Sequence, residues 1–225
     1  MELDIIGSSS RGNCYILQNE DEALIIEMGC KFQEVLKVTN YRRSKIVGAI
    51  ITHNHSDHAR NVKELQDWNI PYFAPADVSG SHLLAGNGRR TTFGGFDIQA
   101  FSVKHNVECY GYLVRHKDFG KLLFITDAKD VPYWFSGLNH IMCEANYDFY
   151  LYEKYPERRH GNTNHMEIED AITGIGSQDL SKVKDIILLH LSDGLSNAED
   201  FKRRMEEATG IPTTIADSGM KIELK

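Results

Sequence analysis

The chain has few of the features that mark membrane, secreted or multidomain proteins. It contains four cysteines in 225 residues, Cys14, Cys30, Cys109 and Cys143. None stands in a C-x-x-C pair, and a reducing cytoplasm fits them better than a secreted disulfide framework. Each sits among apolar or small residues, so the cysteines read as small buried hydrophobes in a reducing compartment. No apolar run approaches the roughly 18 residues that a membrane-spanning helix needs. The start, Met1 to Ile6, has no basic segment leading into a long apolar core, so no signal peptide is expected. The expectation is a soluble, unprocessed, cytoplasmic protein. Positive charge is in deficit: 25 Lys and Arg stand against 32 Asp and Glu, a formal net charge of -7. That argues against polyanion binding over the whole surface and leaves room only for a local basic patch or a site charged by metal. No linker rich in Pro, Gly or Ser, no repeat and no low-complexity block divides the chain. A G-x-S-x-G elbow is also missing, which removes the usual mark of a serine nucleophile.

Hydrophobic residues make up 41% of the chain, enough for one sizeable core. A single domain over 1–225 is expected, with two similar halves, roughly 1–110 and 111–225. In the first half, Leu3 to Ile6, Cys14 to Leu17, Ala23 to Met28 and Val47 to Thr52 read as strands. Phe32, Val35, Leu36 and Thr39 follow helical spacing, as do Val62, Leu65 and Trp68. The second half repeats the vocabulary. Phe96 to Val103, Tyr110 to Arg115, Leu122 to Thr126, His140 to Cys143 and Val183 to Leu189 read as strands, and short strands close the chain at Thr213 to Ala216 and Met220 to Leu224. Ile168, Ala171, Ile172 and Ile175 mark one helix, and Ala198, Phe201, Met205 and Ala208 another, with Asn197 as its cap. Many strands with interspersed helices favour an α/β (α+β) architecture of two packed sheets covered by helices.

Ten histidines occur, and three fall in His53-Asn54-His55-Ser56-Asp57-His58. On an extended chain His53 and His55 point the same way. Asp57 and His58 follow where a helix should begin. Two imidazoles can then serve one metal, and a carboxylate with an imidazole a second; this donor set suits zinc, manganese or iron. A lone histidine would more often be incidental. Here an apolar strand delivers the cluster at its C-terminal end, where α/β folds place their sites.

The run Thr52-His53-Asn54-His55-Ser56-Asp57-His58 resembles the T-H-x-H-x-D-H signature of the metallo-β-lactamase superfamily. The resemblance implies a four-layer αββα sandwich with a dinuclear metal site at the sheet edge. It also implies a later His, Asp and His, each at a strand end. His105, Asp127 and His190 occupy such positions in that order. Residue by residue, it assigns His53, His55 and His105 to one divalent ion, and Asp57, His58 and His190 to the other, with Asp127 bridging. Zinc is the first choice of metal, and manganese or iron also fit. Attack by a metal-bridging hydroxide is the implied chemistry, with Asp57 and Asp127 among the catalytic residues. Where the superfamily often has Asp before a Gly after an early strand, this chain has Glu27 in Glu27-Met28-Gly29, a residue expected to support a metal ligand from behind.

Three further segments resemble the small YycJ/WalJ-like exonuclease group: Gly7 to Cys14, Glu144-Ala145-Asn146-Tyr147-Asp148, and His190-Leu191-Ser192. A later segment, Gly161 to Met166, is similar to a G-H-L-S-type stretch of that group and of transfer-RNA 3′-processing nucleases, with Asn162-Thr163-Asn164 inserted. In those relatives an extra His approaches the scissile phosphate, a role that falls to His165 here, as phosphate ligand or proton donor. Glu144 either orients that histidine or simply ends a strand. Two basic groups, Lys154, Arg158, Arg159 and His160, and Arg42, Arg43 and Lys45, either receive a nucleic-acid backbone or form solvated faces. The favoured reading is a metal-dependent phosphodiesterase, a nuclease or exonuclease acting on DNA or RNA. The alternative is a hydrolase of small esters, thioesters or lactams using the same metals. Nucleic acid is the expected partner, and a homodimer could supply further binding surface.

Overall fold

Runs that are apolar at every position become central strands, because both faces of such strands are covered. The computed structural model describes residues 1–80, 83–159 and 164–225. The first sheet contains β1 (Glu2–Gly7), β2 (Cys14–Gln18), β3 (Ala23–Ile26), β4 (Ile46–Ile50), β5 (Tyr72–Ala74) and β6 (Leu83–Leu84). The second contains β7 (Arg90–Phe93), β8 (Phe96–Ser102), β9 (Tyr110–His116), β10 (Gly120–Ile125), β11 (His140–Glu144), β12 (Asp185–Leu189) and β13 (Thr213–Ile215). The last strand, β14 (Lys221–Glu223), returns to the first sheet and pairs antiparallel with β1.

The strand orders are β14-β1-β2-β3-β4-β5-β6 and β13-β12-β11-β10-β9-β8-β7. Both sheets are mixed in the same way. Starting from β14 or from β7, antiparallel pairings give way to parallel ones, at β3/β4 and at β10/β11. Leu17, Leu24, Phe96, Tyr112, Phe124 and Ile187 belong to the core between the sheets. Helices α1 (Phe32–Val38), α2 (Ser56–Ala59) and α3 (Val62–Asp67) follow strands of the first sheet, and Phe32, Val35, Val62 and Leu65 bury against its outer face. Helices α5 (Ile168–Gly176) and α6 (Ala198–Thr209) cover the second sheet through Ile168, Ala171, Ile175, Phe201 and Met205. The layers are therefore αββα, as the sequence resemblance implied. Asn197 caps α6 by accepting from the Asp200 N–H at 3.2 Å. Among the described residues no helix is long and apolar enough to cross a membrane.

Strand ends depart from the sequence expectations for definite reasons. β3 stops at Ile26 because Glu27 takes a left-handed backbone, φ 65°. β4 stops at Ile50, and the Thr52 N–H turns to the Glu27 carboxylate at 3.2 Å. β12 begins at Asp185 because Val183 N–H closes a turn on the Leu180 carbonyl. Strands β5, β6 and β7 and helix α4 (Phe149–Lys154) were not anticipated. The strands have only two to four residues, too few to show a period, and α4 buries none of its side chains, so no apolar face marks it.

Candidate metal centre

The histidine run leaves β4 and enters α2, and backbone contacts fix its path. Asn13 N–H donates to the Asp57 carbonyl at 2.7 Å, Met28 N–H to the His58 carbonyl at 2.7 Å, and Asn61 N–H to the Met28 carbonyl at 3.0 Å. Gly29 permits this approach: a Cβ there would collide with the Asp57 carbonyl. His105 follows β8, Asp127 follows β10, Glu144 ends β11 and His190 follows β12. Residues from both sheets thus converge on one edge of the sandwich. Asp127 and His190, like Glu27, have left-handed backbone, φ 49° and 55°, which turns each side chain sharply out of its strand.

Three groups of ligand-type atoms form there. His53, His55, His105 and Asp127 make one; Asp57, His58 and His190 make another; Asp127, Glu144, His165 and His190 make the third, with ligand atoms within 4.8 Å of one another in each. All seven residues assigned to metals by resemblance fall in these groups. Asp127 divides its two oxygens between them. Its Oδ2 lies 3.6 Å from His53 Nε2 and 3.8 Å from His105 Nε2. Its Oδ1 lies 3.2 Å from His58 Nε2 and 3.4 Å from His190 Nδ1.

Four of the five imidazoles face an oxygen of the protein on one ring nitrogen. His53 Nδ1 meets the Thr52 hydroxyl at 2.9 Å, His105 Nδ1 meets the Asn164 carbonyl at 3.2 Å, and His190 Nδ1 meets Glu144 Oε1 at 3.1 Å. His58 Nδ1 faces Glu27 Oε1 at 3.4 Å. The nitrogens left over, His53 Nε2 and His190 Nε2, are buried and without hydrogen-bond partners among the described residues. Unpaired imidazole nitrogens next to two carboxylates are costly unless a cation satisfies them, and this donor set fits divalent metal ions.

The charges sort the ligands. Burial, reinforced by the neighbouring His58, holds His53 well below the ordinary histidine range, and burial lowers His105. Burial also opposes charge on His58, but the Asp127 and Glu27 carboxylates outweigh it and raise its pKa. His190 is pushed up to about 10: burial works against this, and Asp127, Asp57 and Glu144 prevail. Burial would raise Asp57 and Asp127; the neighbouring His190 and His58 imidazoles, whose Nε2 atoms lie 3.4 and 3.3 Å from Asp57 Oδ2, hold Asp57 low, and the charges of His58 and His190 do so for Asp127. Glu27 is raised by burial.

His165 stands beside the seven. Its Nδ1 lies 2.6 Å from Oε1 of the buried Glu144, whose Oε2 accepts from the Ala128 and Met166 N–H groups at 3.1 and 3.3 Å. Burial disfavours its charge, and Glu144 more than compensates, so its pKa is raised. With His190, Asn146 and Arg158 it lines a cleft of about 440 Å³. Of the other segment residues, His160 and Gly161 to Thr163 lie outside the described residues.

The two basic groups fare differently. Arg42 donates to the Glu20 carbonyl at 2.9 Å, Arg43 to the Asn69 carbonyl at 2.9 Å, and the buried Lys45 to Gln18 Oε1 at 2.6 Å, so that group is spent on holding the fold. In the second group Arg159 donates to the Tyr152 carbonyl at 2.7 Å and pairs with Glu153 at 3.1 Å, whereas Arg158, which donates to the Gly194 carbonyl at 3.2 Å, borders the cleft. Sequence reasoning did not assign several contacts that shape the site. Asn13 Nδ2 reaches Asp57 Oδ2 at 3.2 Å and His58 Nε2 at 3.0 Å; the Ser8 hydroxyl accepts from His190 N–H at 3.0 Å; Asn146 Nδ2 donates to the His190 carbonyl at 2.7 Å. The only signal for them was their place in the Gly7 to Cys14 and Glu144 to Asp148 segments.

Comparison with known proteins bears on family and fold. The family model described as Metallo-beta-lactamase superfamily matches residues 9–141. An exodeoxyribonuclease WalJ from Streptococcus pneumoniae is 25% identical, over 84% of this chain and 80% of its own. An exodeoxyribonuclease YycJ from Bacillus anthracis is likewise 25% identical, over 85% and 83%. Among solved structures, the metallo-beta-lactamase fold protein YhfI from Bacillus subtilis superposes with a TM-score of 0.73 at 16% identity, covering 98% of both chains. A diphosphatase from the PhnP family gives 0.70 at 16% identity, covering 100% and 98%.

Proposed function

This chain belongs to the metallo-beta-lactamase superfamily, and on that footing we propose that it is a metal-dependent phosphodiesterase that cleaves nucleic acid. In this reading His53, His55 and His105 would hold one divalent ion, Asp57, His58 and His190 a second, and Asp127 both. Zinc is the proposed metal, since imidazole and carboxylate donors suit it, with manganese or iron as substitutes. When bound, such a pair supplies Lewis acidity toward a phosphate oxygen and makes hydroxide available near neutral pH.

The chain's own residues supply the rest. Thr52, Glu27, Glu144 and the Asn164 carbonyl fix the orientation of four imidazoles, so little reorganisation remains when substrate arrives. The single observation that carries the phosphodiesterase reading is His165. Glu144 holds its Nδ1 at 2.6 Å, its pKa is raised, and it borders the cleft beside the site. A histidine so held is protonated more readily than a free one and can deliver a proton to a departing alkoxide, or donate a hydrogen bond to a phosphate oxygen. Ester, thioester and lactam substrates give this group no phosphate to bind. The names of the exodeoxyribonuclease relatives favour DNA and removal of nucleotides from an end. The four cysteines are all free, in keeping with a reducing, cytoplasmic setting.

The test is a metal-supplemented assay on bis-p-nitrophenyl phosphate, labelled single- and double-stranded nucleic acids, a thioester and a β-lactam. Turnover of the phosphodiesters is expected. His165→Ala should lower their kcat about a hundredfold while metal content stays close to two ions per chain. Preferred turnover of the thioester or lactam, or full phosphodiester cleavage by His165→Ala, would overturn the proposal.

A further inference from the structure

Helix α4 and the 3-10 turn Pro156–Arg158 lie between the Glu144 strand and the described residues before His165. The stretch Phe149-Tyr150-Leu151-Tyr152-Glu153-Lys154-Tyr155 carries four aromatic rings, yet the helix buries none of its residues. Phe149 is 59% exposed and Tyr150 68%. Aromatic side chains left in water in this way are not serving the core. They alternate with cations. Lys154 Nζ lies 5.6 Å from the Tyr150 ring centre and 5.3 Å from that of Tyr155, and Arg158 Cζ lies 4.3 Å from the Tyr155 ring centre. Arg158 in turn borders the cleft with His165 and His190. A row of ring, cation, ring and cation therefore runs from the tip of α4 into the candidate centre. Two carboxylates share the segment, but Glu153 is paired with Arg159 at 3.1 Å and Glu157 lies 3.7 Å from Arg158. Lys154 keeps no carboxylate partner among the described ion pairs.

We propose that this row is the platform on which a single-stranded nucleic acid lies as its end enters the cleft. The inference rests on the nuclease reading and deepens it by naming the strand form. Rings offer sequence-tolerant stacking to unpaired bases, while Lys154 and Arg158 meet the phosphates between them. A duplex keeps its bases stacked on one another and cannot use the rings in this way. Such a local patch is also what a chain of net charge -7 must use to hold a polyanion. Helix α4 is anchored to the body rather than free: Asp148 caps it by accepting from Leu151 N–H at 3.0 Å, and Arg204 of α6 grips the same carboxylate at 2.6 Å.

The test compares the metal-loaded full chain with its Tyr150→Ala/Lys154→Ala and Tyr150→Phe variants. Substrates are a labelled single strand, a blunt duplex of the same sequence and bis-p-nitrophenyl phosphate. For the double variant, the KM for the single strand, taken relative to that for bis-p-nitrophenyl phosphate, should rise about five- to hundredfold. The duplex should show a smaller change, and Tyr150→Phe, which keeps the ring, should stay near wild type. An unchanged ratio in a wild type that does cut single strands overturns the platform alone. If the wild type hydrolyses bis-p-nitrophenyl phosphate but no nucleic acid, the nuclease reading and the platform fall together. Binding to anionic vesicles that the double variant loses, with an unchanged KM ratio, would reassign the patch to a lipid surface.

Discussion

Replacing Glu144 by Gln changes one oxygen to an amide and leaves the volume the same. The native carboxylate accepts at both oxygens: Oε2 from Ala128 and Met166 N–H, and Oε1 from the Nδ1 atoms of His165 and His190. An amide cannot do this. If its oxygen stays with the backbone donors, its NH2 faces two imidazole nitrogens that must now accept, which moves their protons to Nε2. For His190 that puts a hydrogen on the nitrogen lying 3.4 Å from Asp57 Oδ2, where a lone pair is needed for a metal. If the amide is flipped, its NH2 instead meets two backbone donors. Either way two charge-assisted hydrogen bonds are lost in a fully buried setting, a destabilisation of about 3 kcal/mol. In a chain of this size that corresponds to a melting temperature about 6–12 °C lower for the metal-free protein. Metal affinity, read by competition with a chromophoric chelator, should fall about 10- to 100-fold, and phosphodiester turnover at saturating metal should fall as well. Glu144→Asp, which keeps the charge, should recover part of both. Wild-type affinity and melting temperature in Glu144→Gln would refute the argument that this carboxylate sets the tautomers of His165 and His190.

Three further outcomes follow from the geometry. Asp127→Asn removes one of the two oxygens that face the two histidine groups, so turnover of bis-p-nitrophenyl phosphate should fall about a hundredfold or more with an unchanged circular dichroism spectrum; retained activity would exclude a bridging role. Because His190 is pushed up to about 10 by Asp127, Asp57 and Glu144 against the effect of burial, the metal-free protein carries a proton there at neutral pH. Metal must displace that proton, so affinity should rise with pH up to about 10, and calorimetry in buffers of different ionisation enthalpy should record at least one proton released per chain at pH 7; no release would contradict the charge assignment. Arg204→Ala strips the shared partner from Asp148, Glu169 and Asp200. It should cost about 1–2 kcal/mol in denaturant unfolding, and equal stability would show that the cluster is fully screened.

Much of the frame was legible because the signals were local. The apolar run before His53, the helical spacing at Ile168 and Phe201 and the Asn197 cap each show within a few residues. The gathering of His105, Asp127 and His190 was not legible that way: nothing near any of them marks a ligand, and only their order within a recognised pattern singled them out. Contacts such as Asn13 to His58 or Ser8 to His190 join residues that are 45 and 182 positions apart and leave no periodic trace. Helix α4 escaped for the opposite reason, since amphipathic spacing reports a face turned to the core and this helix has none. The boundaries at Ile26 and Ile50 were set by the Glu27 side chain and its left-handed backbone, which β-propensity does not encode.

That backbone has a consequence for how the chain can change. Glu27, Asp127 and His190 each hold a conformation that costs a non-glycine residue about 1 kcal/mol or more. Glycine or asparagine would sit there with less strain. A library scored separately for folded yield and for phosphodiester turnover should therefore show the two scores parting at these three positions, tolerant in the first and intolerant in the second. Selection for folding alone would erode the site at its strand ends before it touched the sheets, and a descendant that had lost catalysis would carry the change at these positions first.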